Sequence, residues 1–362
     1  MRVLIQPGDG VAPVVKAIAA AKSSVEIVIF RFDQREVERA LANAVQRGVS
    51  VHALIAQTNR AGEANLRRLE TRLLGYGVTV ARTADDLVRY HGKLMIIDRR
   101  ELYLLAFNMT YLDIEHSRSF GAVTRSRALV REAIRLFEAD VRRHPYEACN
   151  PAFLVSPVNA RKHLAAFLKG ATKQILIYDP EVSDGEMVDI LEQRANSGVD
   201  VRIIGKMTRK GKQLTARKLG MRLHTRTIIR DGKAVFLGSQ SLRELELDAR
   251  REVGIIFREH TAVNAILKVF EEDWASLAQD APVQDKVTIL TPQKVARRIA
   301  KAVVQELPPV GPVVEQVVKE MGAEGKLEID RERVEEIVKD AVKEAVEGAV
   351  EGVAESGKTH VA

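Results

Sequence analysis

The chain has 362 residues, 46% of them hydrophobic, which is enough for one or two substantial cores. Its single cysteine, Cys149, rules out an intramolecular disulfide, and no apolar run reaches the roughly 18 residues of a membrane-spanning helix. The net charge of +7 is uneven: residues 281–362 carry 12 Lys and Arg against 15 Asp and Glu, leaving 44 against 34 in the first 280, a basic body that suits an anionic partner.

The N-terminal apolar stretch Val3-Leu4-Ile5 is far too short for a signal peptide, so a cytoplasmic location is expected, with peripheral membrane contact as an alternative. An apolar helical pattern over Val14–Ala21 leads into a strand at Val25–Phe30. Residues Glu36–Gln46 read as an amphipathic helix with Val37, Ala40, Leu41, Ala44 and Val45 on one face, stopped by Gly48. A strand at Val49–Ile55, a helix at Ala61–Leu74 and a strand at Val78–Arg82 follow, and Arg127–Arg142 closes the first half as a helix.

The order then repeats. After a Pro- and Asn-containing linker, His144–Asn159, come a helix at Lys162–Lys169, a strand at Gln174–Tyr178 and a helix at Met187–Ala195 stopped by Gly198. A strand at Val199–Ile204 and a closing helix at Thr261–Leu277 complete the copy, which lacks 17 residues present in the first. Alternating strands and helices imply an α/β fold with mostly parallel sheets. The expected division is a first repeat at 1–143, a linker at 144–160, a second repeat at 161–280 and a tail at 281–362. That tail is helical and acidic, with patterns over Thr291–Glu306 and Glu332–Val353 around a Pro-rich break at 308–312, and suits a protein partner.

The chemistry-bearing signal is His91-x-Lys93-x4-Asp98, repeated 133 positions later as His224-x-Arg226-x4-Asp231. At the same offset Arg118 matches Arg251, Gly121 matches Gly254, Phe137 matches Phe270 and Asp140 matches Asp273, so the motif lies inside a longer duplication. In a strand, residues i and i+2 share a face, which sets each histidine beside a cation. An imidazole beside a cation suits phosphate chemistry, one group attacking phosphorus and the other holding the non-bridging oxygens. Two copies supply both a nucleophile and an acid for the leaving group. The other histidines (His52, His116, His144, His163, His260, His360) lack this context and read as structural.

These residues resemble the phospholipase D superfamily, which includes cardiolipin synthases and some nucleases, over about residues 13–277. The resemblance implies two similar α/β/α repeats related by a pseudo-twofold axis, a phosphohistidine intermediate and no cofactor or metal. It further implies a Gly-Ser-x-Asn segment after each motif and then an acidic residue that orients a histidine. In the first copy only Asn108 of that segment is present, and Ser119 stands at the acidic position. In the second, Ser239 is kept, Ser241 replaces the Asn, Arg226 replaces the lysine and Glu252 is the acidic residue. The expected catalytic set is His91, His224, Lys93, Arg226, Asn108 and Glu252, with Ser239 and Ser241 binding substrate and Asp98 and Asp231 structural. Glu252 is expected to back His224, raising its pKa and fixing its tautomer, which favours His224 as nucleophile; in many family members the first motif's histidine has that role, so the assignment stays open between His91 and His224.

The implied activity is cleavage or transfer of a phosphodiester, with an anionic phospholipid ahead of nucleic acid as substrate. A nuclease would bind its substrate through the basic run Lys206, Arg209, Lys210, Lys212, Arg217, Lys218 and Arg222. A third reading, a binding or scaffold protein that has lost turnover, rests on Arg226, Ser241 and Ser119. Asp85-Asp86 and Asp113 with Glu115 lack the His or Cys spacing of a metal site.

Overall fold

The structure, a computed structural model, describes residues 1–57, 63–207, 214 and 216–279. Met1–Ala281 forms one compact unit; the second unit, Pro282–Ala362, lies outside the described residues, and with it the expected helical tail.

The first half runs β1 (Arg2–Gln6), α1 (Ala12–Ala20), β2 (Ser24–Ile29), α2 (Arg35–Gln46), β3 (Ser50–Ile55), α3 (Glu63–Gly75), β4 (Thr79–Arg82), β5 (Arg89–Tyr90), β6 (Leu94–Ile97), β7 (Glu101–Leu105), α4 (Tyr111–Glu115), β8 (Ser117–Thr124) and α5 (Arg127–Arg142). The second runs β9 (Phe153–Val155), α6 (Ala160–Lys169), β10 (Gln174–Val182), α7 (Gly185–Asn196), β11 (Asp200–Met207), β12 (Ala216–Arg217), β13 (Arg222–Leu223), β14 (Arg226–Arg230), β15 (Ala234–Gly238), α8 (Glu244–Asp248), β16 (Arg250–Arg251), β17 (Val253–Phe257) and α9 (His260–Gln279).

Periodicity explains the regular parts. Val37, Leu41 and Ala44, spaced for one face of α2, are all buried, and α2 packs with α1 against the sheet. Gly48 (φ 82°) and Gly198 (φ 85°) take the left-handed conformation just past α2 and α7, where a side chain would strain the backbone. The segment read as a linker, His144–Asn159, contains the edge strand β9.

Each sheet is mixed, and its two parts have different origins. In the first sheet, ordered β1-β8-β7-β6-β2-β3-β4, strands β2, β3 and β4 pair in parallel through their crossover helices. Strand β6, which carries the motif's apolar run, pairs antiparallel with both β2 and β7, and β7, β8 and β1 continue antiparallel. The second sheet, β12-β11-β10-β14-β15-β17-β9, repeats the plan, parallel across β10, β11 and β12 and antiparallel onward. Parallel pairing joins β2, β3 and β4, and β10 and β11, where a helix links successive strands. The motif strands are joined by tight turns at Asp98-Arg99-Arg100 and Asp231-Gly232, and such turns bring a strand back antiparallel.

The halves share a core. Phe120 of β8 and Tyr178 of β10 meet with ring centroids 5.6 Å apart, and Tyr178 meets Phe270 of α9 edge-on at 4.9 Å. All three rings are fully buried in one cluster that draws on both sheets. Two short parallel strand pairs also cross between the halves, β5 with β16 and β8 with β13.

Candidate active site

The crossing strand pairs fix the two histidines. His91 follows β5, and its amide donates to the Arg251 carbonyl at 2.8 Å; His224 follows β13, and its amide donates to the Arg118 carbonyl at 3.0 Å. Arg118 and Arg251 are repeat equivalents, so each histidine hangs on the other half by the same bond. Ion pairs reinforce the exchange. Arg118 makes a two-pronged bond to Asp273 (2.7 and 2.8 Å), and Arg251 reaches Asp140 at 3.2 Å. These reciprocal links are the pseudo-twofold relation between the halves.

Because the strands cross, Glu252 does not back His224. It lies just after β16, the strand paired with β5, and its Oε2 is 2.9 Å from His91 Nδ1. The expectation that His224 is the histidine with the acidic partner is corrected accordingly: partners are exchanged between halves. Ser119 lies on the His224 side, one residue beyond the carbonyl that holds the His224 amide. His224 has a different carboxylate, Asp113 of α4, whose Oδ2 is 3.1 Å from Nε2. Asp113 also accepts from Arg222 Nη1 at 2.5 Å and from the Asn108 amide and side chain at 2.9 and 2.7 Å. Its sequence signal was available: Glu246, at the same 133-residue offset, accepts from the Ser241 amide at 2.8 Å as Asp113 does from Asn108.

The remaining site residues gather around this pair. Lys93 Nζ lies 2.9 Å from Nε2 and 3.0 Å from Nδ1 of His91, and donates to the His91 carbonyl at 2.7 Å. Phe30 stands edge-on to the His91 ring at 4.5 Å, and Lys93 is 5.5 Å from the same ring's centre. Asn108 Nδ2 is 3.4 Å from His224 Nε2. Arg226 donates to Ser241 Oγ (3.0 Å) and to the His224 carbonyl (3.2 Å). Ser239 is buried and ties the chain beside Glu252 by accepting from the Val253 amide at 3.0 Å. Asp98 and Asp231 lie apart, at turns on the far ends of β6 and β14, where each accepts from three successive backbone amides.

Burial sets the protonation of the cluster. It drives His91 well below the usual histidine value, and the nearby Lys93 and Arg226 add to the effect. Burial also lowers His224, against the pull of Asp113. It pushes Glu252 up, with Lys93 opposing, and takes Lys93 down to about 7. Burial works against the charge of Asp113 as well, but His224, Arg222 and the Asn108 amide hold that carboxyl below the usual range. Lys93 and Arg226 influence both imidazoles, as expected of one shared site. Neutral imidazoles ringed by cations and amide donors are equipped to receive an oxyanion.

Of the basic run read at 206–222, Arg209, Lys210 and Lys212 lie outside the described residues. Arg222 turns into the site toward Asp113, and Arg217 stacks 4.1 Å over Trp274. Among the described residues no helix is long and apolar enough to cross a membrane.

Residues 14–141 and 164–274 match the model of the family described as "Cardiolipin synthase, PLD-like domain", one copy in each half. The chain belongs to the phospholipase D superfamily. No curated protein matches the sequence. Among solved structures it is similar to a phosphatidylserine synthase from Haemophilus influenzae Rd KW20 (TM-score 0.57, 11% identity, 94% of each chain). It is also similar to a polyphosphate kinase from Porphyromonas gingivalis (TM-score 0.63, 19% identity), covering 75% of this chain and only 50% of that kinase. A third similarity, to the phospholipase D family member Nuc from Salmonella typhimurium, has a TM-score of 0.36 at 20% identity over 41% of this chain and 97% of that one. At such identities the likeness is one of fold, and the two-repeat α/β architecture is that of the family.

Proposed function

We propose that this chain cleaves or transfers a phosphodiester through a phosphohistidine, with His91 as the nucleophile. One observation carries the reading: the buried Glu252 carboxylate sits on His91 Nδ1. A carboxylate there favours the ring proton on Nδ1, and the Nε2 lone pair is available for attack once Lys93, 2.9 Å from it, turns to the bound phosphate. The departures from the family pattern, Arg226, Ser241 and Ser119, collect on the His224 side, while His91 keeps both lysine and glutamate.

In the first step Nε2 of His91 bonds to phosphorus as the bond to the leaving oxygen breaks, and His224, neutral in the free protein and protonated once the anionic substrate is bound, hands that oxygen a proton. Lys93 and Arg226 hold the non-bridging oxygens as charge grows on them. Asp113 supports the proton on His224, a task for which a carboxylate at Nε2 of a buried ring is suited. In the second step water or an alcohol attacks phosphorus, His224 takes its proton, and the phosphorus–nitrogen bond breaks to restore His91. Arg226 keeps the charge of the lysine it replaces and can offer two donors to phosphate. A phospholipid is the favoured substrate class, because the matching family is described by cardiolipin synthase.

The test is turnover of bis(p-nitrophenyl) phosphate in the presence of EDTA. Wild type is expected to be active, and His91→Ala and His224→Ala are each expected to lose about 1000-fold or more. Unchanged activity in the His91→Ala, His224→Ala double variant overturns the mechanism. An inactive wild type, on this ester and on phospholipid and nucleic-acid substrates, makes the chain a phosphate-binding relative without turnover.

A further inference from the structure

Beside the histidine pair lies an open cleft of about 840 Å³ between the end of β2, the start of α2 and the exposed side of α3. Its walls carry several arginines, and its floor reaches Asp113, the carboxylate on His224. At the same end lie Arg31 and Phe32, next in sequence to the Phe30 that packs on His91. The cleft therefore borders the candidate centre at Asp113, on the His224 side.

The charges in the cleft do not cancel. Its acidic members are already engaged: Glu38 takes a two-pronged bond from Arg72 (2.7 and 3.0 Å), Asp33 accepts from the Tyr111 amide at 2.7 Å, and Asp113 is held by Arg222 and Asn108. Arg35, Arg39 and Arg68 are exposed and make no hydrogen bond or ion pair with any described residue. Arg35 sits in the first turn of α2, a 12-residue helix whose N-cap Gln34 offers no side-chain bond. The same turn carries the carboxylates Glu36 and Glu38, so the arginines, and not the helix end, supply the positive charge of the cleft. Three unpaired guanidinium groups around a concavity form a receptor for a polyvalent oxyanion.

We infer that this cleft is a second phosphate subsite, taking a phosphate group carried by the leaving portion of the substrate beyond the scissile phosphodiester. The ligand chemistry is a phosphomonoester or diphosphate. This assignment rests on the phosphodiesterase reading for its link to turnover, while anion binding in the cleft stands apart from it.

Calorimetric titration of the full chain with inorganic pyrophosphate tests the binding. The dissociation constant is expected to rise about tenfold or more in Arg35→Gln/Arg39→Gln/Arg68→Gln, from loss of charge-assisted bonds, and to move by less than about twofold in Lys93→Met. Equal binding in wild type and the triple variant overturns the inference, as does a loss in Lys93→Met as large as that in the triple variant. Should the triple variant fail to fold, Arg39→Gln alone carries the test, with about a threefold weakening expected.

Kinetics then identify the source of the phosphate. Short-chain phosphatidylglycerol phosphate is compared with short-chain phosphatidylglycerol, and a 5′-phosphorylated thymidine dinucleotide with its unphosphorylated form. Wild type is expected to favour the phosphorylated member of one pair by about tenfold in kcat/KM, and the triple variant to lose that preference. Absence of any preference overturns the link to substrate. Absence of turnover on every ester, with arginine-dependent pyrophosphate binding intact, overturns the phosphodiesterase reading instead and leaves the anion site standing.

Discussion

Lys93 shows how much a single buried group can report. Among the described residues its ammonium has no salt-bridge partner; it lies against His91 and that residue's own carbonyl, and burial lowers its pKa to about 7. In the free protein it is charged below about 7 and largely neutral at pH 8. An oxyanion bound beside it favours the ammonium and raises the pKa again. Phosphate binding at pH 8 should therefore draw close to one proton from solution through Lys93, and almost none at pH 6, where the lysine already holds it. Calorimetric titration with inorganic phosphate in buffers of different ionisation enthalpy measures that uptake. In Lys93→Met the difference between the two pH values should shrink by about one proton; an unchanged uptake would place the titrating group elsewhere. The placing of Lys93 beside His91 was legible in the sequence because the repeat marked both residues. The partner of His91 was not: Glu252 lies 161 positions away, and only the crossing of β5 with β16 decides which histidine it meets.

At the scale of the elements, the motif aspartates hold turns together. Asp98 (φ 52°) and Asp231 (φ 54°) both occupy the left-handed region at the tip of a motif hairpin. From there Asp98 accepts from the amides of Lys22, Ser23 and Ser24 at 2.7–3.1 Å, joining the β6–β7 turn to the start of β2. Burial opposes its charge, yet the bonds from Ser23 and Ser24 hold the carboxyl below the usual value. Asn tolerates the same backbone conformation, so Asp98→Asn removes charge and acceptor strength with little backbone penalty. It should cost about 1–3 kcal/mol in urea unfolding at pH 7. The sign with pH follows: a depressed carboxylate stabilises above its unfolded pKa and loses that contribution as pH falls through the folded value. The gap between wild type and Asp98→Asn should thus close in acid, and a gap that persists there would assign the effect to packing. Helices and the parallel strands were legible from their periods, since Val37, Leu41 and Ala44 leave little choice of face. The antiparallel motif strands were not, because Leu94–Ile97 is buried along its whole length and such a run fits either direction.

For the molecule as a whole, the duplication built one body rather than two beads. Phe120, Tyr178 and Phe270 share a core cluster, and the ion pairs Arg118–Asp273 and Arg251–Asp140 join the halves in both directions. A site made of residues exchanged between halves needs that union, since separating them takes Glu252 from His91 and leaves His224 without its backbone anchor. The cation Arg118 is nearly buried, as is Asp273, which also accepts from the Tyr178 hydroxyl at 2.5 Å. Arg118→Ala would strand that carboxylate in the core between the sheets and should cost about 3–5 kcal/mol. The loss should be felt by both halves at once. Trp274 reports the second half, and Tyr103→Trp in a Trp274→Phe background reports the first. Guanidinium unfolding should give one shared midpoint from the two probes in otherwise wild-type protein. With Arg118→Ala added to each, both midpoints should fall together. If the first-half probe holds its midpoint while Trp274 shifts, the halves fold independently, and the exchanged pairing of histidine and glutamate is a docking contact rather than a condition of folding.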